Sequence, residues 1–431
     1  MLTEEQEQIK RYFLSFLFTQ DKYLIIDGKG GTGKSYLLCS LIDTLHNDAE
    51  DFAKLLGVPL KYNSFAITST TNKSLSILSR GFNQNNRYFT NLQTIHSFLN
   101  LTVKEDYTTG SVYLKPTKAQ VIYKNCIVFI DECSMIDGEL FKYIDSLTQN
   151  CKVIFIGDKC QLPPVKEKLS PIYTMGITEF SLSKVIRTDK QDLLNMNEYL
   201  RQCVLKQEKA KIQCSENIIY LDDKKNKTFD WITDNLKDQE NNNHICCYSN
   251  NEVTEYCNVI GILRGYKTKF NIGQKVTVNE PVEEGNKILL PTDSVVTIKD
   301  ISKAKGVEYM TQMPYMSLLV TSDVINRDIV LDVPLDFELY KGILKQLAKK
   351  KDWTSYFLFK KSYADLRLLD VSTVHKAQGS TYNNVLIDLS DLGTCRNPEQ
   401  FRRLLYVAFS RAKNKVFLTG TLPEKYGEIL L

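Results

Sequence analysis

Apolar residues in this chain come in short unbroken runs that alternate with segments of helical period. Tyr23 to Asp27 reads as a strand of the fully buried kind, and Tyr36 to Leu45 changes period, with Leu37, Leu38, Leu41, Ile42 and Leu45 on one face of a helix. Ile127 to Ile130 in CIVFIDECSM repeats the buried-strand pattern, as does the run that opens at Cys151 in CKVIFIGDKCQLPPV. A second βα series begins at HICCYSN (His244 to Asn250) and its helix NEVTEYCNVIGILRG. It resumes with LRLLDVSTV, NNVLIDLS and KVFLTG, and LLYVAFSRAKNKVFLTG reads as an amphipathic helix running into a strand. Buried strands alternating with helices predict an α/β fold.

Two stretches break the alternation. LTVKEDYTTGSVYLKP (Leu101 to Pro116) has two β-rich arms around Thr108 to Gly110, the pattern of a hairpin. From about Asp293 to Asp365, SVVTIKDI, SLLVTS and DIVLDV read as strands of a small barrel, followed by the lysine-rich helix LYKGILKQLAKKKDW and the aromatic run WTSYFLFKKSY. These breaks divide the chain into residues 1–189 with an insertion at 100–118, residues 190–292 joined with 366–431, and an inserted unit at 293–365. A length of 431 residues suits such a division, being too long for one ordinary core.

Composition narrows the class. A hydrophobic fraction of 43% is that of a folded, soluble chain, no apolar run has the ~20 residues that span a bilayer, and the opening MLTEEQEQIKR does not read as a signal peptide. A cytoplasmic location is expected, that of the host cell if the source is a virus. Eleven cysteines without a C-x-x-C pair read as reduced core residues. A net charge of +4 permits a nucleic-acid partner without requiring one.

The chemistry is concentrated between the first strand and the first helix. Gly28 to Ser35, GKGGTGKS, fits the phosphate-binding loop without a mismatch. Gly28, Gly30, Gly31 and Gly33 let the backbone N–H groups around Thr32 converge on a triphosphate; Lys34 reaches the outer phosphates and Ser35 holds Mg²⁺. Asp131 and Glu132 end the next strand, where a nucleotide hydrolase needs one carboxylate for Mg²⁺ and one to polarise water. Gln161, beyond the strand at Cys151, is placed to sense a γ-phosphate. Arg411 and Arg187 are candidate fingers, guanidiniums reaching a phosphate held by another domain.

The order GKGGTGKS, ITSTTNKSL, TIHSFL, FIDECSM, GDKCQLPPV, Arg187, STVHKAQGSTY and LLYVAFSRAK resembles that of superfamily 1 helicases. The resemblance is to the 5′-to-3′ branch, superfamily 1B, that includes RecD and the phage Dda helicase. Length, motif spacing and the opening LTEEQ agree best with the Dda-like members. It implies two RecA-like P-loop cores with ATP and Mg²⁺ in the cleft between them, a hairpin in the first core that splits duplex, and a barrel-like, SH3-like insertion in the second that walls a DNA channel. By the same resemblance Gln6 reads adenine, Gly379 and Ser380 lie near the nucleotide, and Arg187 and Arg411 act across the cleft. Thr70, Asn72, Lys73, His96, Thr373 and His375 then lie on or beside the single strand.

The function so implied is ATP-dependent translocation 5′ to 3′ on single-stranded DNA with unwinding at duplex junctions, in viral or phage replication or recombination. Single-strand-binding and replisome proteins are the partners such an enzyme meets, no membrane is involved, and a monomer suffices. An RNA helicase of the same superfamily is the alternative enzyme, since phosphate contacts do not specify the sugar. A nucleotide-switched binding module is the alternative of another class, and retention of both Glu132 and Arg411 argues against it.

Overall fold

The computed structural model describes residues 2–84, 92–117, 121–165, 167–185, 188–222, 226–237, 241–266, 268–285, 287–302, 306–307, 313–322 and 325–431. Arg187 lies outside the described residues. The fold is α/β with two parallel sheets. In the first, strands lie in the spatial order Glu179–Leu182, Tyr23–Gly28, Lys152–Gly157, Cys126–Asp131, Ser64–Ser69 and Leu92–Thr94, every pair parallel. Their runs are apolar at consecutive positions because both faces are covered. Leu24, Ile26 and Phe129 pack beneath Phe13, Leu38 and Leu41, whereas Ile25, Val128 and Phe155 face Leu140 and Ile144. Pairing of Asp27 with Gly157 and of Ser69 with Asp131 brings the strand ends to one edge, the edge where ligands bind in open α/β sheets.

The second parallel sheet runs Ile218–Tyr220, Ala412–Thr419, Tyr382–Asp388, His244–Cys247 and Val371–Thr373. Two helices cover it on the side of the first sheet: Gln191–Lys206, here the bridging helix, and Pro398–Phe409, here the lever helix. Cys160 and Leu162, from just beyond a strand of the first sheet, are buried among Leu193, Leu200 and Phe401 of this second layer, so the two layers share apolar packing at the base of the cleft.

A third, antiparallel sheet is built from Lys275–Val278, Val295–Ile301, Gly306–Val307, Pro314–Ser322, Ile325–Pro334 and Leu366–Leu368. The sheet extends beyond the expected boundaries of 293 and 365. Lys275–Val278 pairs with Val295–Thr297 on one side and with Leu366–Leu368 on the other, so both flanking segments belong to this unit rather than to the second parallel sheet. The change of sheet falls between Leu368 and Val371, where Asp370 accepts from Arg264 at 2.8 Å.

The expected hairpin pairs Leu101–Glu105 with Val112–Pro116. Asp106 closes its turn, accepting from the backbone N–H groups of Thr108 and Thr109 at 2.8 and 3.3 Å. Gly110 has φ of 73°, and the Trp353 indole lies so close over it that a Cβ would overlap the ring. Tyr107 meets Phe357 edge-on at 5.7 Å, and Lys361 pairs with Glu105 at 3.0 Å, so the hairpin tip is held by the helix Trp353–Lys361, which lies in the chain between the last two strands of the antiparallel sheet. No helix among the described residues is long and apolar enough to cross a membrane.

Candidate active site

The phosphate loop leaves the strand end at Gly28 and enters the helix Lys34–Asn47. Gly31 and Gly33 have φ of 85° and 78°, a left-handed conformation that glycine adopts without strain and that the loop needs to turn its N–H groups inward. Thr32 is buried and its hydroxyl donates to Lys29 O at 3.0 Å, whereas Ser35 is exposed at the first turn of the helix. Lys34 Nζ donates to the carbonyls of Gly28 and Lys29 at 2.6 and 2.9 Å, so its ammonium is folded onto the loop it serves.

Gln6 sits against this loop, its side-chain N–H donating to Thr32 O at 3.1 Å while its carbonyl accepts from Thr3 N at 3.0 Å. Both ends of the amide are engaged, and the residue caps its own helix rather than presenting a free edge to a base.

Asp131 and Glu132 stand at the end of Cys126–Asp131, separated in the sheet from the loop's own strand by Lys152–Gly157. Burial first, and the Glu132 carboxylate second, push Asp131 up to about 6, against the pull of Lys34. Ser74 donates to Asp131 Oδ2 at 3.0 Å. Glu132 has φ of 54°, which turns its side chain out of the strand direction toward the second layer. There Gln378 Nε2 reaches Glu132 Oε2 at 3.5 Å, and Gly379, with φ of 81°, lies beside the same carboxylate, a Cβ there coming to 3.7 Å from Oε1. Thr70 donates to Glu132 O at 3.1 Å. Hard oxygen donors of this kind suit Mg²⁺: Ser35 supplies a hydroxyl and Asp131 a carboxylate whose burial beside a second carboxylate leaves negative charge to offset.

Two of the residues singled out in the sequence are held inside the fold in this arrangement. Arg411 does not project across the cleft: only 1% exposed, it donates from Nε to Val407 O at 3.0 Å and from its terminal nitrogens to Ser380 O at 3.2 Å and Ser410 Oγ at 2.6 Å. The lever helix ends at Phe409, so the guanidinium turns back onto the Val407 carbonyl of its last turn, which Ser410 Oγ also meets at 2.8 Å. Lys73 does not face open solvent as a strand-gripping lysine would. Its ammonium donates to Lys376 O of the second layer at 2.6 Å, and burial pushes it down to about 8.

Three of the other expected nucleic-acid residues, His96, Thr373 and His375, fall into two matching turns. Thr94, at the end of an edge strand of the first sheet, caps the short helix carrying His96; Thr373, at the end of an edge strand of the second, caps the one carrying His375. The repeated T-x-H in TIHSFL and STVHKA is a sequence signal for this equivalence. Asn72 is exposed at the start of the helix that follows Thr70.

Sequence reasoning missed a set of residues behind the loop. Arg201 of the bridging helix pairs with Asp27 at 2.8 Å, and Lys29 of the loop pairs with Glu198 of the same helix. From the lever helix, Arg403 donates to Lys159 O and Gln161 O at 2.6 and 2.9 Å, and Tyr406 donates to Asp158 at 2.7 Å. Gln161 is thereby held by its main chain from the second layer, with its side-chain carbonyl buried and without a partner.

Comparison with known proteins agrees with this geometry. Residues 16–167 match an AAA domain model and residues 368–419 match a UvrD-like helicase C-terminal domain model. The chain is similar to the ATP-dependent DNA helicase Dda of enterobacteria phage T4, 24% identical over 96% of this chain and 98% of that one. Along nearly its whole length the chain is thus similar to Dda- and RecD-like helicases. It is also 24% identical to protein R530 of Acanthamoeba polyphaga mimivirus, over 96% of this chain and 99% of that one. To the RecBCD subunit RecD of Buchnera aphidicola it is 23% identical, over 92% of this chain and 70% of that one. In fold it is similar to Pif1 helicase solved at forked double-stranded DNA (TM-score 0.53, 14% identity, 99% of this chain and 94% of that one). Pif1 from Bacteroides with ADP-AlF3 and single-stranded DNA gives a TM-score of 0.51 at 15% identity, with the same coverage.

Proposed function

We propose that this helicase hydrolyses ATP to move 5′ to 3′ along single-stranded DNA and to unwind duplex ahead of it, in viral replication or recombination. In this reading the two parallel-sheet layers are RecA-like cores, and nucleotide binds at the strand edge of the first, facing the second. Lys34 and the loop N–H groups hold the phosphates, Ser35 and Asp131 hold Mg²⁺, Glu132 polarises the attacking water and Gln161 senses the γ-phosphate. A bound Mg²⁺ supplies charge neutralisation between the phosphate oxygens. Arg411 and Arg187 are the proposed cations from across the cleft, and Arg411 reaches that role by exchanging its bonds to Ser380 and Ser410 as the cleft closes.

The observation that carries the reading is the contact between Glu132 and the Gln378–Gly379 segment. That segment follows directly on Thr373 and His375, so a strand held at the T-x-H turn and the group that activates water are a few bonds apart. Thr70 makes the equivalent link from the first layer. Hydrolysis and the grip on a strand are therefore coupled through short, rigid segments, which is what stepping requires.

The hairpin Leu101–Pro116 is the proposed duplex-splitting pin and the antiparallel unit the wall beside it. The ring of Trp353 over Gly110 supports that pairing, since a wedge must be braced to transmit force. Strand-displacement assays on 5′-tailed and 3′-tailed duplexes, with matched RNA duplexes as the second arm, test the proposal. Unwinding of 3′-tailed duplex alone refutes the direction, and ATP turnover stimulated by RNA alone refutes the substrate.

A further inference from the structure

The buried polar chain behind the phosphate loop has no part in the phosphate chemistry described above. Asp27 and Asp158 are both wholly buried, a rare state for carboxylates unless they are paired. Asp27 is the residue before Gly28. Its Oδ1 accepts the Lys159 N–H at 2.7 Å and its Oδ2 accepts from Arg201 at 2.8 Å. Arg201 Nε lies 3.8 Å from Asp158 Oδ1, which also accepts the Cys160 N–H at 3.0 Å. Tyr406 OH closes the chain on the other carboxylate oxygen. The turn from Asp158 to Gln161 is thus gripped on one side by the strand that feeds the phosphate loop and on the other by the bridging and lever helices.

The physical character of this contact differs from the polar contacts at the cleft mouth. One guanidinium serves two buried carboxylates, so its removal leaves two like charges in a region from which water is excluded. A lysine does not substitute, because a compact ammonium cannot keep the directed bond to Asp27 while also spreading charge to within 3.8 Å of Asp158. Cys160 and Leu162 add apolar packing within the second layer at the same place. A contact that is dry and costly to break stays assembled while looser contacts open, and two packed layers that share one such contact turn about it.

We propose that Arg201 and Tyr406 are positioning residues that form the pivot of the cleft, holding the Gln161 turn in register with the phosphate loop while the second layer swings. The inference rests on the helicase reading. In it, motion of the lever helix reaches the γ-phosphate position through the main chain of residues 158–161.

The test uses the full chain, steady-state ATP turnover with and without single-stranded DNA, and equilibrium binding of a fluorescent ATP analogue. Arg201→Lys and Arg201→Met are expected to lower DNA-stimulated kcat about tenfold or more while the analogue's Kd moves less than about threefold, because the groups that bind nucleotide are untouched. Tyr406→Phe keeps shape and volume but leaves the buried Asp158 carboxylate one donor short, so it is expected to lower kcat about threefold, assayed well below a thermal midpoint that also falls. Asp27→Asn combined with Arg201→Met removes one of the two unpaired charges and should recover about threefold of the lost kcat. A kcat within about twofold of wild type in all three single variants overturns the pivot. So does an equal loss of kcat and analogue affinity that the double variant does not relieve, which is the behaviour of a merely structural ion pair. A wild-type enzyme whose ATP turnover ignores DNA would instead overturn the helicase reading itself, so the two failures are told apart by the wild-type control.

Discussion

Removing the indole that braces the hairpin should uncouple unwinding from translocation by an amount the structure lets one work out. Trp353 is partly buried over Gly110, so Trp353→Ala forfeits roughly half of the 3–5 kcal/mol typical of a fully buried tryptophan, about 2 kcal/mol. The Tyr107–Phe357 pair adds roughly 0.5–1.5 kcal/mol and the partly exposed Lys361–Glu105 pair roughly 0.2–1 kcal/mol. The intact brace is then worth about 3 kcal/mol and the variant's about 1 kcal/mol. Each base pair opened loads the hairpin with about 1.4 kcal/mol. Under that load the wild-type hairpin remains docked about nine-tenths of the time and the variant's about one-third, at a factor of ten per 1.4 kcal/mol. Base pairs opened per nucleotide translocated should therefore fall about threefold in Trp353→Ala. The assay is the ratio of unwinding rate to single-strand translocation rate on one 5′-tailed duplex. Replacing Lys104 to Val112 by a short Gly-Ser linker should lower the ratio further while DNA-stimulated ATP turnover persists. An unchanged ratio in both proteins would refute the reasoning and move the wedge elsewhere in the molecule.

Lys34→Ala or Glu132→Gln should abolish DNA-stimulated ATP turnover, and Glu132→Gln should still bind ATP and DNA in equilibrium titrations; wild-type turnover in either contradicts the site. Arg411→Ala should lower kcat by about a hundredfold or more with ATP affinity changed less than about tenfold, and a change confined to KM would make it a binding residue. Its four bonds also predict a lower thermal midpoint for that variant, separable from the kinetic effect by assaying well below the midpoint. Lys152 is held among Thr19 and Asp21 carbonyls, and burial pushes its ammonium from 10.5 down to about 8. Between those values the unfolded chain binds more protons, so this residue's contribution to stability rises with pH. Wild type should gain on Lys152→Met in denaturant midpoint as pH goes from about 8 to about 10, and a constant difference would remove that assignment.

The parts legible in sequence were those fixed by local pattern. The phosphate loop carries its own geometry in four glycines, and buried strands flanking Asp131 and Lys152 read as uninterrupted apolar runs. The hairpin was legible because its register is set by its own turn. What sequence could not assign was partnership at long range. Lys275–Val278 and Leu366–Leu368 have strand patterns consistent with either sheet, and only their mutual pairing, some ninety residues apart in the chain, puts them in the antiparallel unit. Arg411 and Lys73 carry the right charge in the right motif, yet their hydrogen bonds go to the main-chain carbonyls of Ser380 and Lys376, and a motif specifies side chains rather than which carbonyls they meet. Asp27 did leave a mark: a carboxylate closing an otherwise apolar strand must be paired when buried, which asks for a cation elsewhere in the chain. That cation, Arg201, lies on a helix whose sequence gives no sign of it.

Unwinding of one duplex carrying either a 5′ or a 3′ single-stranded tail, with ATP and Mg²⁺ at saturating DNA trap, tests the central claim most directly. The account predicts strand separation of the 5′-tailed duplex that requires ATP and is lost in Glu132→Gln, with none from the 3′-tailed duplex. Separation of the 3′-tailed duplex alone, or of neither while ATP is consumed, would contradict it.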